Sequence, residues 1–382
     1  MKSVFLYTPR FNDFSYGSGH PLKADRARMA YELCYRYGLL NYPWMKIIEP
    51  APSTPEVMRE FHTPEYVDAL EGANSGTFEF TMLHHGLGNS DNPVFKGMFD
   101  LSLLVLGATL KGEELIAQGE ADCVFNPLGG FHHSGPNVAE GFCLVNDIVI
   151  AINHLLSSGY QRILYVDIDA HHGNGVQDAF YDTDHVLFFS QHQSGEGIYP
   201  WVGFETEIGE GRGLGYTVNM PVPEYTDDDA YLKAFMSIYP AIAKAYQPEV
   251  VVAQIGLDTL KKDPLTNLRC TNNSYSKVIQ AIGESCDKIL VLGGGGYSTH
   301  DVARGWCLAW SQLNHIEPED PYVGMVGSAL YGHGNAGESL FDDPHRISAK
   351  LRVSVDRIID EKIRYIKETI FPILGIEQEQ FI

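Results

Sequence analysis

Five short apolar runs, at residues 122–126, 162–169, 185–192, 249–256 and 288–293, set the limits on how this chain can fold. Each is rich in Val, Ile, Leu or Phe and flanked by turn residues, which suits strands covered on both faces rather than on one. Amphipathic stretches with helical periodicity occupy residues 144–156, 226–245, 273–284 and 300–312. That alternation predicts an α/β fold built on an open, mostly parallel sheet with helices on both faces. Upstream, Thr63, Pro64 and Glu65 supply an N-cap, a first-turn proline and an acidic first-turn residue ahead of a helical run to Leu70. After Leu313 the pattern loosens, and residues 347–370 read as an amphipathic closing helix. No repeat or linker divides the sequence, so one domain over residues 1–382 is expected, with about 314–382 as a C-terminal helical extension packed on it.

Charge narrows the partners. Against 27 Lys and Arg stand 49 Asp and Glu, a formal charge of −22 that repels a nucleic-acid backbone and attracts a cationic substrate. Hydrophobic residues at 44% and charged residues at 20% exclude a disordered chain. The six cysteines form no CxxC pair and read as reduced core thiols. Neither a signal-like N-terminus nor an apolar run of about 18 residues is visible, so a cytoplasmic protein without a membrane partner is expected.

Polar clusters sit where the runs end. His132 and His133 follow the first run, Asp169 and His171 end the second, Asp258 follows the fourth and Tyr297 the fifth. Ligands of open α/β sheets bind beyond the carboxyl ends of the strands, so these clusters are expected to share one crevice. Asp169 and His171 are two apart on an extended run, which puts both side chains on one face. With Asp258 they make three oxygen and nitrogen ligands, the set that a catalytic zinc takes while keeping a position open. A blander reading has Asp167, Asp169, His171 and His172 merely capping a helix that begins near Asn174. It leaves their charges against the buried run 163–166 uncompensated, whereas a divalent cation offsets them.

Adjacent imidazoles at His132 and His133, on the Gly129-Gly130-Phe131 turn, suit proton transfer near neutrality. Residue type alone is weak evidence, since His84-His85 is an equal pair that reads as ordinary loop. The run from Gly293 to Gly296 lacks the Lys-Ser/Thr of a phosphate cradle and instead lets Tyr297 approach a substrate closely. Tyr297 is expected to donate to an oxygen that gains negative charge, with His133 as base and His132 as its electrostatic partner.

The segments GGFHHS (129–134), EGFCLVND (140–147), YVDIDAHHGNGVQDAFY (165–181) and GGGGY (293–297) resemble the signature stretches of the histone deacetylase family. The style is that of its class I and bacterial acetoin-utilisation members, and the similarity runs from about Gly19 to Trp310. The resemblance implies an arginase/deacetylase-like fold, one zinc per chain on Asp169, His171 and Asp258, and hydrolysis of acetyl or related acyl groups from lysine in proteins or peptides. It further implies that Asp167 hydrogen-bonds His132, that Gly141, Phe142 and Tyr199 wall an acyl-lysine tunnel, that Asp91 grips substrate at the rim, and that Arg26 lines an inner acetate pocket. Potassium is implied beside the zinc ligands, at Asp167, Asp169, His171, Ser190 and Gln191. Three positions depart from the pattern. Asn174 stands where class I enzymes usually carry Asp behind the second histidine, Tyr199 replaces the usual tunnel phenylalanine, and Leu265 is apolar where polyamine-specific relatives carry an acidic gatekeeper.

Three other readings stay in view. An arginase-like dimanganese hydrolase needs further bridging carboxylates, but Gly173 and Leu260 occupy the positions where they would stand. An acetylpolyamine amidohydrolase fits the acidic surface but not Leu265. An acyl-lysine binding module without catalysis would be expected to have lost Tyr297 or a histidine, and both are present.

Overall fold

All five apolar runs become strands, and three further strands that the patterning did not mark join them. The computed structural model describes residues 1–318 and 340–377. Its strands are β1 (Ser3–Leu6), β2 (Met45–Ile48), β3 (Cys123–Asn126), β4 (Ile163–Asp167), β5 (Val186–Gln193), β6 (Thr217–Val222), β7 (Val250–Gln254) and β8 (Ile289–Leu292). They form one sheet in the order β2-β1-β3-β8-β7-β4-β5-β6, and every pairing is parallel. Parallel neighbours need crossovers. α1 (Asp25–Arg36), α2 (Pro55–Met58), α3 (Pro64–Gly72), α4 (Met98–Ala117), α5 (Asp147–Ser157), α6 (Asn174–Ala179), α7 (Asp228–Tyr246) and α8 (Asn272–Gly283) lie in them, and α9 (Thr299–Leu313) and a closing helix at Ala349–Thr369 follow the last strand.

Side chains that alternate along each strand divide the interior in two. Leu164, Val166, Leu187, Phe189, Val251 and Ala253 pack toward α1, α7, α8, α9 and the closing helix. Ile163, Tyr165, Val186, Phe188, Val250 and Val252 pack toward α4, α5 and α6. On the first face Trp310 lies 5.4 Å from the Phe5 ring and 6.4 Å from that of Phe125, fully buried. Emptying such a position costs about 3–5 kcal/mol, so these rings fix α9 against the sheet.

Helix starts follow local chemistry. Thr63 Oγ1 accepts from the Tyr66 N–H with Pro64 in the first turn, as the sequence led one to expect. Asn146 Oδ1 accepts from the Val149 N–H, so α5 begins at Asp147 rather than at 144. The closing helix lays Val355, Ile359, Ile363 and Ile366 into the core. Of the extension expected at 314–382, residues 319–339 and 378–382 lie outside the described residues. Among the described residues, no helix is long and apolar enough to cross a membrane.

Four neighbouring strands position the site. Because β8 and β7 insert between β3 and β4, the loops bearing His132, Tyr297, Asp258 and Asp169 open side by side at the carboxyl edge of the sheet.

Candidate functional site

Strand β4 ends at Asp167, and the next residues turn. Asp167 Oδ1 accepts from the Asp169 N–H at 3.1 Å, and Asp169 Oδ1 accepts from the His171 N–H at 2.9 Å. Strand alternation therefore does not bring Asp169 and His171 together, as the pattern had suggested; two successive side-chain turns do. Nor do these residues cap α6, whose N-cap is Gly173 without a side-chain bond. Asp258, beyond β7, completes the cluster: the ligand atoms of Asp169, His171 and Asp258 all lie within 4.8 Å of one another, and all three residues are buried. His171 Nδ1 stands 2.8 Å from Asp258 Oδ2 and 3.3 Å from Asp169 Oδ1.

The frame around the triad is built from donors. Asp258 Oδ1 accepts from the Ala170 N–H at 2.7 Å, and Asp169 Oδ2 accepts from Gln254 Nε2 at 2.7 Å and from the Gly295 N–H at 2.8 Å. A Cβ on Gly295 would stand 2.6 Å from both Asp169 Oδ2 and Asp258 Oδ2, so only glycine lets the backbone approach this closely. Burial and the neighbouring Asp169 push the Asp258 carboxyl up to about 8. Asp169 is held well below the ordinary range, against its burial, by His132, His171 and Asp258. Two buried carboxylates with one imidazole between them fit a divalent cation in donor type, number and spacing.

Above the triad sit the paired histidines. Asp147, buried at the start of α5, accepts from the Gly130 N–H at 3.0 Å and the Phe131 N–H at 2.8 Å, and so sets the turn that presents them. Thr109 Oγ1 donates to the same carboxylate at 2.6 Å. His132 Nδ1 is 2.8 Å from Asp167 Oδ2, which also accepts from the Tyr165 hydroxyl at 2.6 Å. His133 Nδ1 is 2.7 Å from Asn174 Oδ1, and the two Nε2 atoms face each other at 3.1 Å. Burial alone would depress His132, but Asp167 and Asp169 outweigh it and raise its pKa. Burial, His132 and His171 together push His133 well below the usual imidazole range. One ring thus tends to hold a proton and the other to lack it.

Tyr297 follows Gly294 at φ +74° and Gly296 at φ +117°, left-handed conformations that favour glycine. Its N–H donates to Asp263 Oδ2 at 2.7 Å. Burial and then Asp258 and Asp169 raise its phenol well above the ordinary value, so it stays a donor. The Phe142 ring, at φ +69° after Gly141, meets Tyr297 edge-on at 5.6 Å, and Gly141, Phe142 and Tyr297 line a narrow crevice with His132, His133 and Asp169. Tyr199 stands beside the pair, its ring 5.0 Å from that of His133. Arg26 is buried behind Tyr297, with Nη1 donating to Gly296 O at 2.7 Å. Asp91 and Leu265 stand outside the inner crevice but are tied to it. His20 links the Asp91 carbonyl, at 3.0 Å, to the Phe142 ring, and the Leu265 N–H donates to Asp263 at 2.9 Å. Ser190 pairs in register with Asp167 and has its Oγ 2.8 Å from His192 Nδ1, while Gln191 Nε2 donates to Tyr231 O.

Sequence reasoning missed Asp147, Gln254 and Asp263. Each holds a backbone or ligand group through partners far along the chain, so its role is not legible locally, even for Asp147, which ends the quoted stretch 140–147.

Comparison with known proteins points to one family. The Histone deacetylase domain family matches residues 20–313. Histone deacetylase RPD3 of Saccharomyces cerevisiae is 37% identical over 316 residues, which cover 82% of this chain and 72% of the yeast protein. Acetoin utilization protein AcuC of Bacillus subtilis is 33% identical over 323 residues, covering 83% of each. The crystal structure of an HDAC homolog complexed with SAHA superposes with a TM-score of 0.87 at 31% identity, over 96% of this chain and 100% of that one. An HDAC homolog from Aquifex aeolicus gives 0.86 at 30% identity, over 96% and 100%.

Proposed function

The chain belongs to the histone deacetylase family, and on that premise we propose that it is a zinc-dependent amidohydrolase. It cleaves the Nε-acyl amide of lysine in proteins or peptides, releasing acetate or a related acid and free lysine. One observation carries this reading: a buried Asp-His-Asp triad opens, through Asp169, onto the narrow crevice that a histidine pair and a protonated phenol also line.

Asp169, His171 and Asp258 would hold the ion. Zinc there would supply Lewis acidity for the amide carbonyl and for a water. The chain's own groups do the rest. Tyr297 donates its phenolic proton in a hydrogen bond to the carbonyl oxygen as that atom gains charge. His133, neutral at Nε2, takes the proton of the attacking water and returns it to the lysine nitrogen as the C–N bond breaks. His132, kept protonated by Asp167, stabilises the charge that builds beside it, while Asn174 holds the far side of the His133 ring. Phe142, Gly141 and Tyr199 exclude water along the acyl-lysine stem, Arg26 lines the inner end, and Asp91 and Leu265 meet substrate at the mouth. Potassium would sit against Asp167, Asp169, His171, Ser190 and Gln191. We assign this activity to one catalytic domain that spans the chain and works in the cytoplasm without nucleic acid.

Turnover of an acetyl-lysine peptide tests the assignment, with chelation expected to abolish it and added zinc to restore it. Chelator-resistant turnover, or none with zinc present, would sink it. Running acetylspermidine in parallel separates the polyamine reading, against which the apolar Leu265 stands.

A further inference from the structure

On the His133 branch of the site, the chain of hydrogen bonds ends on a carboxylate outside the triad and the histidine pair. Asn174 presents Oδ1 to His133 Nδ1 at 2.7 Å, and its other amide atom, Nδ2, donates to Glu140 Oε2 at 3.3 Å. Glu140 is well placed to hold that bond. It begins the tight turn that presents Phe142, with its N–H donating to Cys143 O at 3.2 Å and its carbonyl accepting from the Cys143 N–H at 2.7 Å.

An asparagine amide can face its neighbours either way round, and which way it faces decides the tautomer of any imidazole on it. A carboxylate can only accept. With Glu140 on one side, Nδ2 must point to it and Oδ1 must point to His133, so His133 Nδ1 must carry a hydrogen. Two lone pairs cannot face each other at the 3.1 Å that separates the Nε2 atoms. A single proton therefore lies on that line, and the Asp167 carboxylate on the far side of His132 draws it to His132. Nε2 of His133 is left without a hydrogen, its lone pair accepting on that line.

We propose that Glu140 is a positioning residue for the reaction: through the Asn174 amide it keeps the hydrogen of His133 on Nδ1 and so keeps Nε2 available as the base. The assignment rests on the hydrolase reading above, and the test separates the two. Glu140→Gln keeps the shape but can donate as well as accept, so it frees the amide to turn over. The variant is expected to lower kcat about tenfold, the scale of losing an outer-sphere partner, with KM within about twofold. Asn174→Asp puts a carboxylate directly on His133 and beside Glu140. In that background Glu140→Gln removes a like-charge contact and is expected to leave kcat unchanged or raise it. An equal loss in both backgrounds would mean that Glu140 only holds the Phe142 turn, and would overturn the proposal. Long-range proton–nitrogen NMR on metal-free protein, with neutral His133, gives a readout independent of activity: a single Nδ1–H tautomer in the parent and a mixture in Glu140→Gln. An Nε2–H tautomer in the parent refutes the relay. If the parent hydrolyses no acyl-lysine, the functional reading fails while the tautomer still decides the role of Glu140.

Discussion

Two places in this molecule bury ionisable groups, and they treat them differently. At the carboxyl edge of β3, β8, β7 and β4, each buried carboxylate meets donors that converge on it: Asp147 takes two backbone N–H groups and a hydroxyl, and Asp167 takes an imidazole and a phenol. In the groove between α4 and α5, buried Glu113 faces His154 Nδ1 across 3.9 Å, beyond hydrogen-bond reach, while His154 gives its Nε2 to Glu60 at 2.7 Å. Burial then pushes Glu113 up to about 7. Desolvation is common to both regions. What distinguishes the crevice is that its charges are aimed at one point, where a cation or a substrate can answer them.

That contrast can be broken most severely at Asp258. Asp258→Asn is expected to lower turnover by about 10³-fold or more, exceeding the ~10–100-fold typical of an outer-sphere loss, and to release metal; metal analysis beside the peptide assay checks it. Near-normal metal content and turnover would show that the convergence is not functional. Tyr297→Phe is expected to reduce kcat by about 10²–10³-fold while metal content holds, which separates oxyanion donation from metal retention. Gly295→Ala probes the frame alone. Its Cβ presses on Asp169 and Asp258, so metal affinity is expected to fall about 10–100-fold in a chain whose circular dichroism is unchanged.

The smallest effect lies in the other region. Glu113 holds its proton up to about pH 7 when folded, against an ordinary value of 4.5. The folded state therefore binds the proton more tightly, so this contribution is complete below about 4.5 and lost as pH rises through about 7. Glu113→Gln is expected to match the parent in thermal midpoint near pH 4.5, to exceed it above pH 7, and to leave turnover unchanged. A parallel pH profile for the two proteins would refute an isolated titration.

Legibility in the sequence followed the reach of each interaction. The five central strands are visible because Val and Ile fill both faces. β6 is not, since Asn219 and Pro221 interrupt it, and β2 exposes Lys46 and Ile47 at the edge of the sheet. α4 is buried on nearly every side, which erases the period that marks a surface helix. In the site, Asp169, His171, Asp258, His132, His133 and Tyr297 stand out because strand ends concentrate them. Glu140 does not: it opens the stretch at 140–147, but its partner Asn174 lies 34 residues away, and nothing in either stretch shows that the two meet. The extended-strand reading brought Asp169 and His171 together for the wrong local reason: their backbone folds back through side-chain turns of Asp167 and Asp169.

The order of the strands has a consequence for how the protein is made. β3 and β4 emerge from the ribosome well before β7 and β8, yet they are not neighbours in the finished sheet; the later pair must wedge between them. Until β8 has been synthesised, the strands on either side of the site therefore lack the pair that comes between them, and His132 and His133 have no finished wall opposite.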